Sequence, residues 1–529
     1  MKRRIIYITI ILGIVMSSCS KDFLNKNPGD QVSTGDYWQT QDDAVRAVTE
    51  CYTFLGDFDD RIFLSCATDD SYSWSNWPLD IQFAGNGSAT SNTGTFDHFW
   101  SYFYSAIAQA NNVINNIGKV PADQITDSLR SRLTAEARFI RAYAYQQLTS
   151  FYGNVVFTTT LMPSDSFPVT KRTSADMVQQ FVISELKNAA SVLPTAYTSS
   201  DQGRITKGAV LALLAREQLY IGDYSDAAAT AKQVMTIGSY SIDNSSGNAY
   251  NSLFDGTNEN SPEIILQAQY IKNTYATGIG TWVGGPSLGG WSQVVPLQSL
   301  VDAYECTDGK SITESPLYDP NHPFDNRDPR LKATIVVPGS VVNGKTIDVT
   351  STNSIDALGK NNASLSGYYY KKYVPADIEG EYYNNSYNDE VLIRYAEVLL
   401  TYAEAKIESN SIDQSVYDAI NLIRQRKGVD MPPVTAGSQS ELRTLVRNER
   451  RVELSMEGLR LFDIRRWKIA DQVMNGNAYG ILNNYDQTRS DYGKHILIES
   501  RTFASRDYLW AIPQNEIKLD PDLGQNTGW

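Results

Sequence analysis

Two stretches of this chain carry a sustained helical period, and the long stretch between them carries none. In the first, Ala44, Val45, Ala47, Val48, Cys51, Tyr52 and Leu55 recur at i, i+3, i+4 spacing, with Thr40 and Asp43 placed to cap the start. A second helix is predicted from about 97 to 117, with Phe99, Phe103, Ala106, Ile107, Ala110, Val113, Ile114 and Ile117 on one face, and a third from about 128 to 151. Residues 210–235 and 394–426 each read as a helix–turn–helix. Leu219 to Tyr224 form the turn of the first, and Lys427-Gly428 closes the second with a basic last turn and a C-cap. Alanine at the contacts lets helices approach closely, as in tetratricopeptide-like hairpins and also in ordinary α-hairpins. Between about 240 and 389 Gly, Pro, Asn, Ser and Tyr dominate, and only short strands are predicted, at 263–268 and 333–337. The fold class is therefore mainly α. A scaffold of helical hairpins (about 36–240 and 390–470) carries a large loop-rich insertion with short β-strands (about 241–389), and a C-terminal segment follows (471–529).

The N-terminus bears on location. Lys2, Arg3 and Arg4 precede an apolar run from Ile5 to Met16, too short to span a bilayer and suited to a signal peptide over residues 1–18. Met16-Ser17-Ser18-Cys19 looks like a lipobox, with Cys19 as the lipidated residue and several acyl chains as a stable anchor. Asp and Glu number 60 against 46 Lys and Arg, a formal charge of −14, which disfavours nucleic acid. It also disfavours electrostatic capture of strongly acidic polysaccharides, unless a local basic patch overrules the average. Cys51, Cys66 and Cys306 lack metal-ligand spacing. Cys51 falls on an apolar helix face, where a buried thiol is the default, and a Cys51–Cys66 bridge is open but not demanded. His98, His322 and His495 are isolated, so no metal and no cofactor is expected.

Near the end of the chain, ten of the twenty-one residues from Arg447 to Trp467 are charged, with mixed signs. Arg450/Glu453, Glu457/Arg460 and Asp463/Arg466 stand three apart, so each pair is expected to meet on one helix face, or on two short helices hinged at Gly458. A scaffold network is the favoured reading over a phosphate or nucleic-acid site. The stretch closely resembles the signature of the SusD/RagB family of outer-membrane nutrient-binding lipoproteins, roughly E-R-R-x-E-L-x-x-E-G-x-R-x-F-D-x-x-R-W, with every fixed position present. Phe23-Leu24-Asn25 with Pro28, Glu136-Ala137-Arg138-Phe139 with Arg141-Ala142-Tyr143, Arg394 to Leu400 with Tyr402-Ala403-Glu404-Ala405, and Ile512-Pro513 with Gln525-Asn526 agree with the same family. The tail departs from the usual Q-N-P-G-[YF] at Thr527 and Trp529. The resemblance spans 19–529. It implies a single domain on tetratricopeptide-like repeats, lipidation at Cys19, and an outer-membrane location facing the exterior. It also implies a SusC-like TonB-dependent transporter as partner.

Aromatics make up 11% of the chain, and the informative ones lie in polar, Gly-rich loops where burial is not the obvious explanation. Tyr72, Trp74 and Trp77 sit in one such loop, and Tyr275, Trp282 and Trp291 in or beside another. A sugar ring stacks its C–H face on an aromatic plane while its hydroxyls need fixed polar partners. Asp69, Asp70, Asn76 and Gln293 are the polar neighbours, and loop anchoring is the competing role for the tryptophans. The expected site is a platform on which Trp74, Trp77, Trp282 and Trp291 converge. The clusters Tyr368-Tyr369-Tyr370-x-x-Tyr373 and Tyr382-Tyr383-x-x-x-Tyr387 are weaker candidates, for strand packing or a partner surface.

Two catalytic spellings fail on context. Gly339 to Thr346 has P-loop spacing, but Asn343-Gly344 reads as a hairpin turn followed by a strand where a P-loop needs a helix. Gly285-Pro286-Ser287-Leu288-Gly289 has nucleophile-elbow spelling within a glycine-rich loop. Asp69 with Asp70 is a poor glycosidase pair, because adjacent residues rarely place carboxyls across one bond. The resulting expectation is a non-catalytic, surface glycan-binding lipoprotein that passes oligosaccharides to its transporter. A peptide-binding RagB-like member and, with less support, a lipoprotein glycoside hydrolase are the alternatives.

Overall fold

The computed structural model describes residues 37–56, 58–161, 171–376 and 385–529. The signal peptide, Cys19, the Phe23–Pro28 motif, Tyr382 and Tyr383 lie outside the described residues.

The scaffold is a stack of helices in which each element from α1 to α8 packs on the next: α1 (Gln41–Tyr52), α2 (Gly94–Asn116), α3 (Asp127–Tyr152), α4 (Ala175–Val192), α5 (Lys207–Tyr220) and α6 (Tyr224–Thr236), then α7 (Tyr395–Glu408) and α8 (Gln414–Arg424), followed by α9 (Gln439–Glu453) and α10 (Arg460–Arg466). α1 rests on both α2 and α3, and α7 touches α6, α8 and α9. The caps are written in the sequence. Thr40 Oγ1 accepts from the Asp43 N–H at 3.2 Å and the Asp43 carboxylate accepts from the Thr40 N–H at 2.8 Å, the reciprocal box expected for α1. Thr126, Ser174, Thr206 and Asp223 cap α3 to α6 in the simpler way. α5 is buried all round from Gly208 to Leu219, which is why it shows no amphipathic stripe. One continuous hydrophobic core runs from Trp38 to Ile512.

The loop-rich segment leaves the stack after α6 and returns at α7, two helices in contact with each other. Its strands form antiparallel pairs, one of them with a strand from between α1 and α2: β1 (Ser71–Ser73) with β3 (Val294–Pro296), β2 (Ile264–Ala268) with β8 (Glu390–Arg394), β4 (Ile335–Val336) with β7 (Tyr369–Tyr370), and β5 (Val341–Val342) with β6 (Lys345–Thr346). β9 (Gly476–Leu482) and β10 (His495–Arg501) pair in the C-terminal segment. The β2–β8 pair closes the base of the excursion, because β8 runs straight into α7.

Local expectations are corrected at the two predicted strands after 333 and hold at the Pro286–Leu288 turn and at the cysteines. Ala333 and Thr334 end a short helix, Arg330–Thr334, so the strand there is only Ile335–Val336. The Asn343-Gly344 turn holds, with φ of +49° and +75°, but β6 stops at Thr346. Pro286–Leu288 is a single 3₁₀ turn closed by Gly289 at φ +84°, with neither the strand nor the helix of an elbow. Cys51, Cys66 and Cys306 are free, buried thiols.

The charged signature does break into α9 and α10, with Gly458 at φ +74° between them. Of its local pairs, Asp463–Arg466 forms, at 2.8 Å. The other two do not, because their members reach across the fold. Arg450 meets Glu404 and Asp463; Glu453 meets Arg330, Arg394 and Arg426; Glu457 meets Lys372 and Arg394; Arg460 meets Asp69. Burial alone would raise the Glu453 carboxyl, but Arg426, Arg394 and Arg330 hold it well below the usual range. Arg394 also binds Glu263, just ahead of β2, at 2.8 Å. The network therefore fastens the root of the insertion to α7 and α9, and removing any one partner would strand a buried charge.

Candidate functional site: an aromatic platform

The β1–β3 ladder brings the two tryptophan loops together. Ser71 lies opposite Pro296, Tyr72 opposite Val295 and Ser73 opposite Val294. In an antiparallel pair the residues after β1 must then meet the residues before β3. Trp74 follows β1 and Trp291 precedes β3, and the Trp74 Nε1–H donates to the Ser292 carbonyl at 3.1 Å. The Trp77 ring meets Trp282 edge-on at 5.3 Å and lies tilted over Trp291 at 6.4 Å, and Trp282 meets Trp291 at 5.7 Å. The four indoles converge, as the sequence led us to expect.

Their roles differ. Trp77 is 60% exposed, Trp74 41% and Trp291 36%, whereas Trp282 is 6% exposed. Trp282 is corrected from a stacking surface to a support. It sits in the short buried helix Ile279–Val283, and its ring holds Trp77 and Trp291 from below while touching Phe63 at 5.9 Å. Asp59 lies beside it. Burial pushes that carboxyl up to about 6, partly offset by the Trp282 side chain and the Gly278 backbone.

The backbone around Trp291 is tightly fixed. The Trp291 N–H donates to the Thr281 carbonyl at 2.8 Å and the Ser292 N–H to the Gly284 carbonyl at 2.9 Å. A Cβ on Gly290 would come within 2.1 Å of the Gly284 oxygen, so only glycine lets these segments close up. Ser292 Oγ donates to the Asn362 carbonyl at 2.8 Å, tying in a third segment. Gln293 is buried and its amide donates to the Trp77 carbonyl. Asn76 is exposed, and its side-chain oxygen accepts from the Gln82 amide. Gln82 and Ser292 carry no signal in the sequence that would have marked them as supports.

Asp69 and Asp70 are withdrawn as ligand contacts. Both are buried at the root of β1 and engaged by arginines of the charged signature. Arg460 grips Asp69 with two bonds, of 2.9 and 2.7 Å, and Arg451 bridges Asp69 at 3.0 Å and Asp70 at 2.7 Å. Burial is outweighed by Arg451 and Arg460 at Asp69, which lies low. At Asp70 burial, opposed by Arg451, wins with help from the Asp69 charge and the carboxyl lies above its usual range. The extended rise of the strand explains the misreading: the residues stand near the tryptophans in sequence but at the opposite end of β1. Tyr72 is half-buried in β1, near Glu499 and Arg501 of β10. Tyr275, half-exposed, stacks on Tyr270 at 5.2 Å and 7°. Tyr368, Tyr369, Tyr370 and Tyr373 are buried, so that cluster is strand packing.

A helical-hairpin scaffold that presents an aromatic surface on a strand-bound excursion defines the class. Residues 234–529 match the SusD family, and residues 24–219 match a second family described as "Starch-binding associating with outer membrane". The chain belongs to the SusD family. Among curated relatives, SusD-like protein P38 of Formosa agariphila is 27% identical over 91% of this chain and 93% of its own. A SusD-like protein of Bacteroides ovatus is 26% identical over 96% and 92%. Among solved structures, a SusD-like carbohydrate binding protein from Bacteroides fragilis superposes with a TM-score of 0.86 at 28% identity, covering 92% of this chain and all (100%) of its own. A laminarin binding SusD-like protein, at 22% identity and a TM-score of 0.69 over 93% of this chain and 100% of its own, shares the fold. No helix among the described residues is long and apolar enough to cross a membrane.

Proposed function

We propose that this protein is a non-catalytic glycan-binding lipoprotein of the outer membrane, anchored through Cys19 and facing the exterior. Its mature chain, 19–529, acts as one domain, and it delivers oligosaccharides to a SusC-like TonB-dependent transporter. The observation that carries the reading is the group of Trp74, Trp77 and Trp291. Three partly exposed indoles, Trp77 and Trp291 fixed from beneath by Trp282 and Trp74 by its bond to the Ser292 carbonyl, are costly in water and match the apolar faces of successive sugar rings. The solved relative described as carbohydrate binding and the neighbour described as laminarin binding support the same ligand class. A shallow stacking surface gives modest affinity, in the micromolar to millimolar range.

Calorimetry of Trp74→Ala, Trp77→Ala and Trp291→Ala against a panel of neutral oligosaccharides tests this, with circular dichroism as the folding control. Loss of a stacking ring should weaken binding about ten- to hundredfold, by analogy with bases stacked on aromatics. Normal binding by all three folded variants would place the ligand elsewhere. Saturable binding of peptides in place of glycans, lost in the same variants, would move the ligand class. Oligosaccharide turnover that disappears on replacing a single carboxylate would make the protein a hydrolase.

A further inference from the structure

A second feature stands apart from the tryptophans. A cavity of about 670 Å³ with a mixed polar and apolar lining opens between α3, α4, α10 and the C-terminal segment, with Arg465, Lys468 and Arg506 on its wall. Arg465 is the unusual member. Other deeply buried arginines, Arg330, Arg394, Arg426 and Arg450, each meet at least one carboxylate. Arg465 is 7% exposed and donates one N–H to the Asp507 carbonyl at 3.0 Å, while its Nε and Nη1 have no hydrogen-bond partner. Its guanidinium also lies 5.5 Å over the Trp510 ring, a contact that leaves its charge unneutralised, and the natural complement to such a buried cation is an anion.

The rest of the wall carries the same sign. Lys468 is exposed, with its Nζ 4.7 Å from the Tyr508 ring, a contact that leaves its charge unneutralised. Arg506 lies 4.4 Å over the Trp529 ring, and its Nε is 3.5 Å from the Asp507 carboxylate. α4 begins at the cavity with Ala175 and Asp176; the Ala175 N–H is taken by Asn154 Oδ1 and the Met177 N–H by Ser174 Oγ, so this eighteen-residue helix adds its dipole and not free donors. Opposing charges are few. Arg466 is already matched by Glu404 and Asp463, Asp507 is held by the Ala504 N–H, and Asp176 is exposed in the first turn of α4. Burial, opposed in part by Asp507 and Tyr152, lowers the Arg465 guanidinium to about 10, the cost of holding this cation away from water.

We propose that this cavity is a second binding site, taking one oxyanion group, sulfate or carboxylate, either free in solution or carried as a substituent on a saccharide. It is the kind of local basic patch that overrules the −14 average charge of the chain. It is separate from the aromatic platform and does not depend on it.

The test is calorimetric titration of the full mature protein with sodium sulfate at ionic strength held constant with sodium chloride. A sulfated oligosaccharide and its desulfated counterpart form the second arm. Wild type should show saturable sulfate binding. Lys468→Ala should weaken it about five- to tenfold, Arg465→Met should abolish it, and Trp77→Ala should leave it unchanged. Tighter binding of the sulfated than of the desulfated oligosaccharide, with the difference removed by Lys468→Ala, identifies the saccharide-borne group. Sulfate binding without that preference identifies the free ion. Sulfate isotherms that are the same in wild type and both cation variants overturn the proposal. If Arg465→Met fails to fold, an unchanged affinity in Lys468→Ala, whose side chain is exposed, overturns it alone.

Discussion

Glu217 offers a sharp test of how the helical stack is held. It lies on the all-buried helix α5, 1% exposed, and burial pushes its carboxyl up to about 8, offset in part by the Gln146 side chain. The sign follows from proton binding. Below about pH 4.5 the carboxyl is protonated in both states and costs nothing. Between about 4.5 and 8 the unfolded chain releases the proton while the folded chain keeps it, so stability falls as pH rises, by about 1.4 kcal/mol per unit. At pH 7 the penalty is then about 3 kcal/mol, and Glu217→Gln removes it without changing the volume of the side chain. With an unfolding entropy of roughly 2.1 cal/mol/K per residue, a chain of this length loses about 1 kcal/mol/K, so the variant should melt about 3 °C higher at pH 7. The gain should shrink to nothing near pH 4.5. Other groups titrate too, and those held low by arginines, such as Glu453, lose stability in the opposite direction as pH falls. The quantity to read is therefore the difference between variant and wild type at each pH, by thermal melting followed with circular dichroism. A difference that is the same at pH 4.5 and pH 7.5, or a variant that melts lower throughout, would refute the argument.

The clamp at the root of β1 makes a second prediction. Arg460→Met leaves Asp69 with Arg451 alone and should cost about 3 kcal/mol. Adding Asp69→Asn should recover part of that, because no buried charge is then stranded. Denaturant melts of the single and double variants decide it, and equal losses in both would show that the pairing does not matter. Calorimetry on the same proteins should show weaker glycan binding in Arg460→Met although no ligand contact is removed. For the anchor, Cys19→Ala should release the protein from membranes in a strain lacking the transporter, and unchanged retention on fractionation would end the lipobox reading.

The parts of the fold that were legible are those set by local chemistry. α1 with its Thr40/Asp43 box, α2, α3 and the two hairpins α5–α6 and α7–α8 follow from apolar period and capping residues a few positions apart. The convergence of Trp74, Trp77, Trp282 and Trp291 was also anticipated, from the need of a stacking surface for more than one segment. What stayed hidden depends on partners far along the chain. Arg450 and Glu453 looked like each other's partners at i, i+3, but α9 lies against α7, and Glu404, Arg394 and Arg426 offer buried charges at shorter reach. Asp69 and Asp70 looked like rim residues because they precede a tryptophan loop, and nothing near them in sequence announces Arg451 and Arg460. Trp282 looked exposed amid glycines, yet those glycines are what let its short helix sink into the fold.

The same clamp has a bearing on how such a surface can change. Arg451 and Arg460 hold one end of β1, and the indoles hang beyond its other end. The ion pairs are committed to the scaffold whatever the tip carries, and they share no residue with it. The segments 74–77 and 286–291 are thus a removable head on a fixed stem. Exchanging that head for another loop pair of matched length, with Gly290 and the β1–β3 register retained, is a route to new ligand preferences on an unaltered frame.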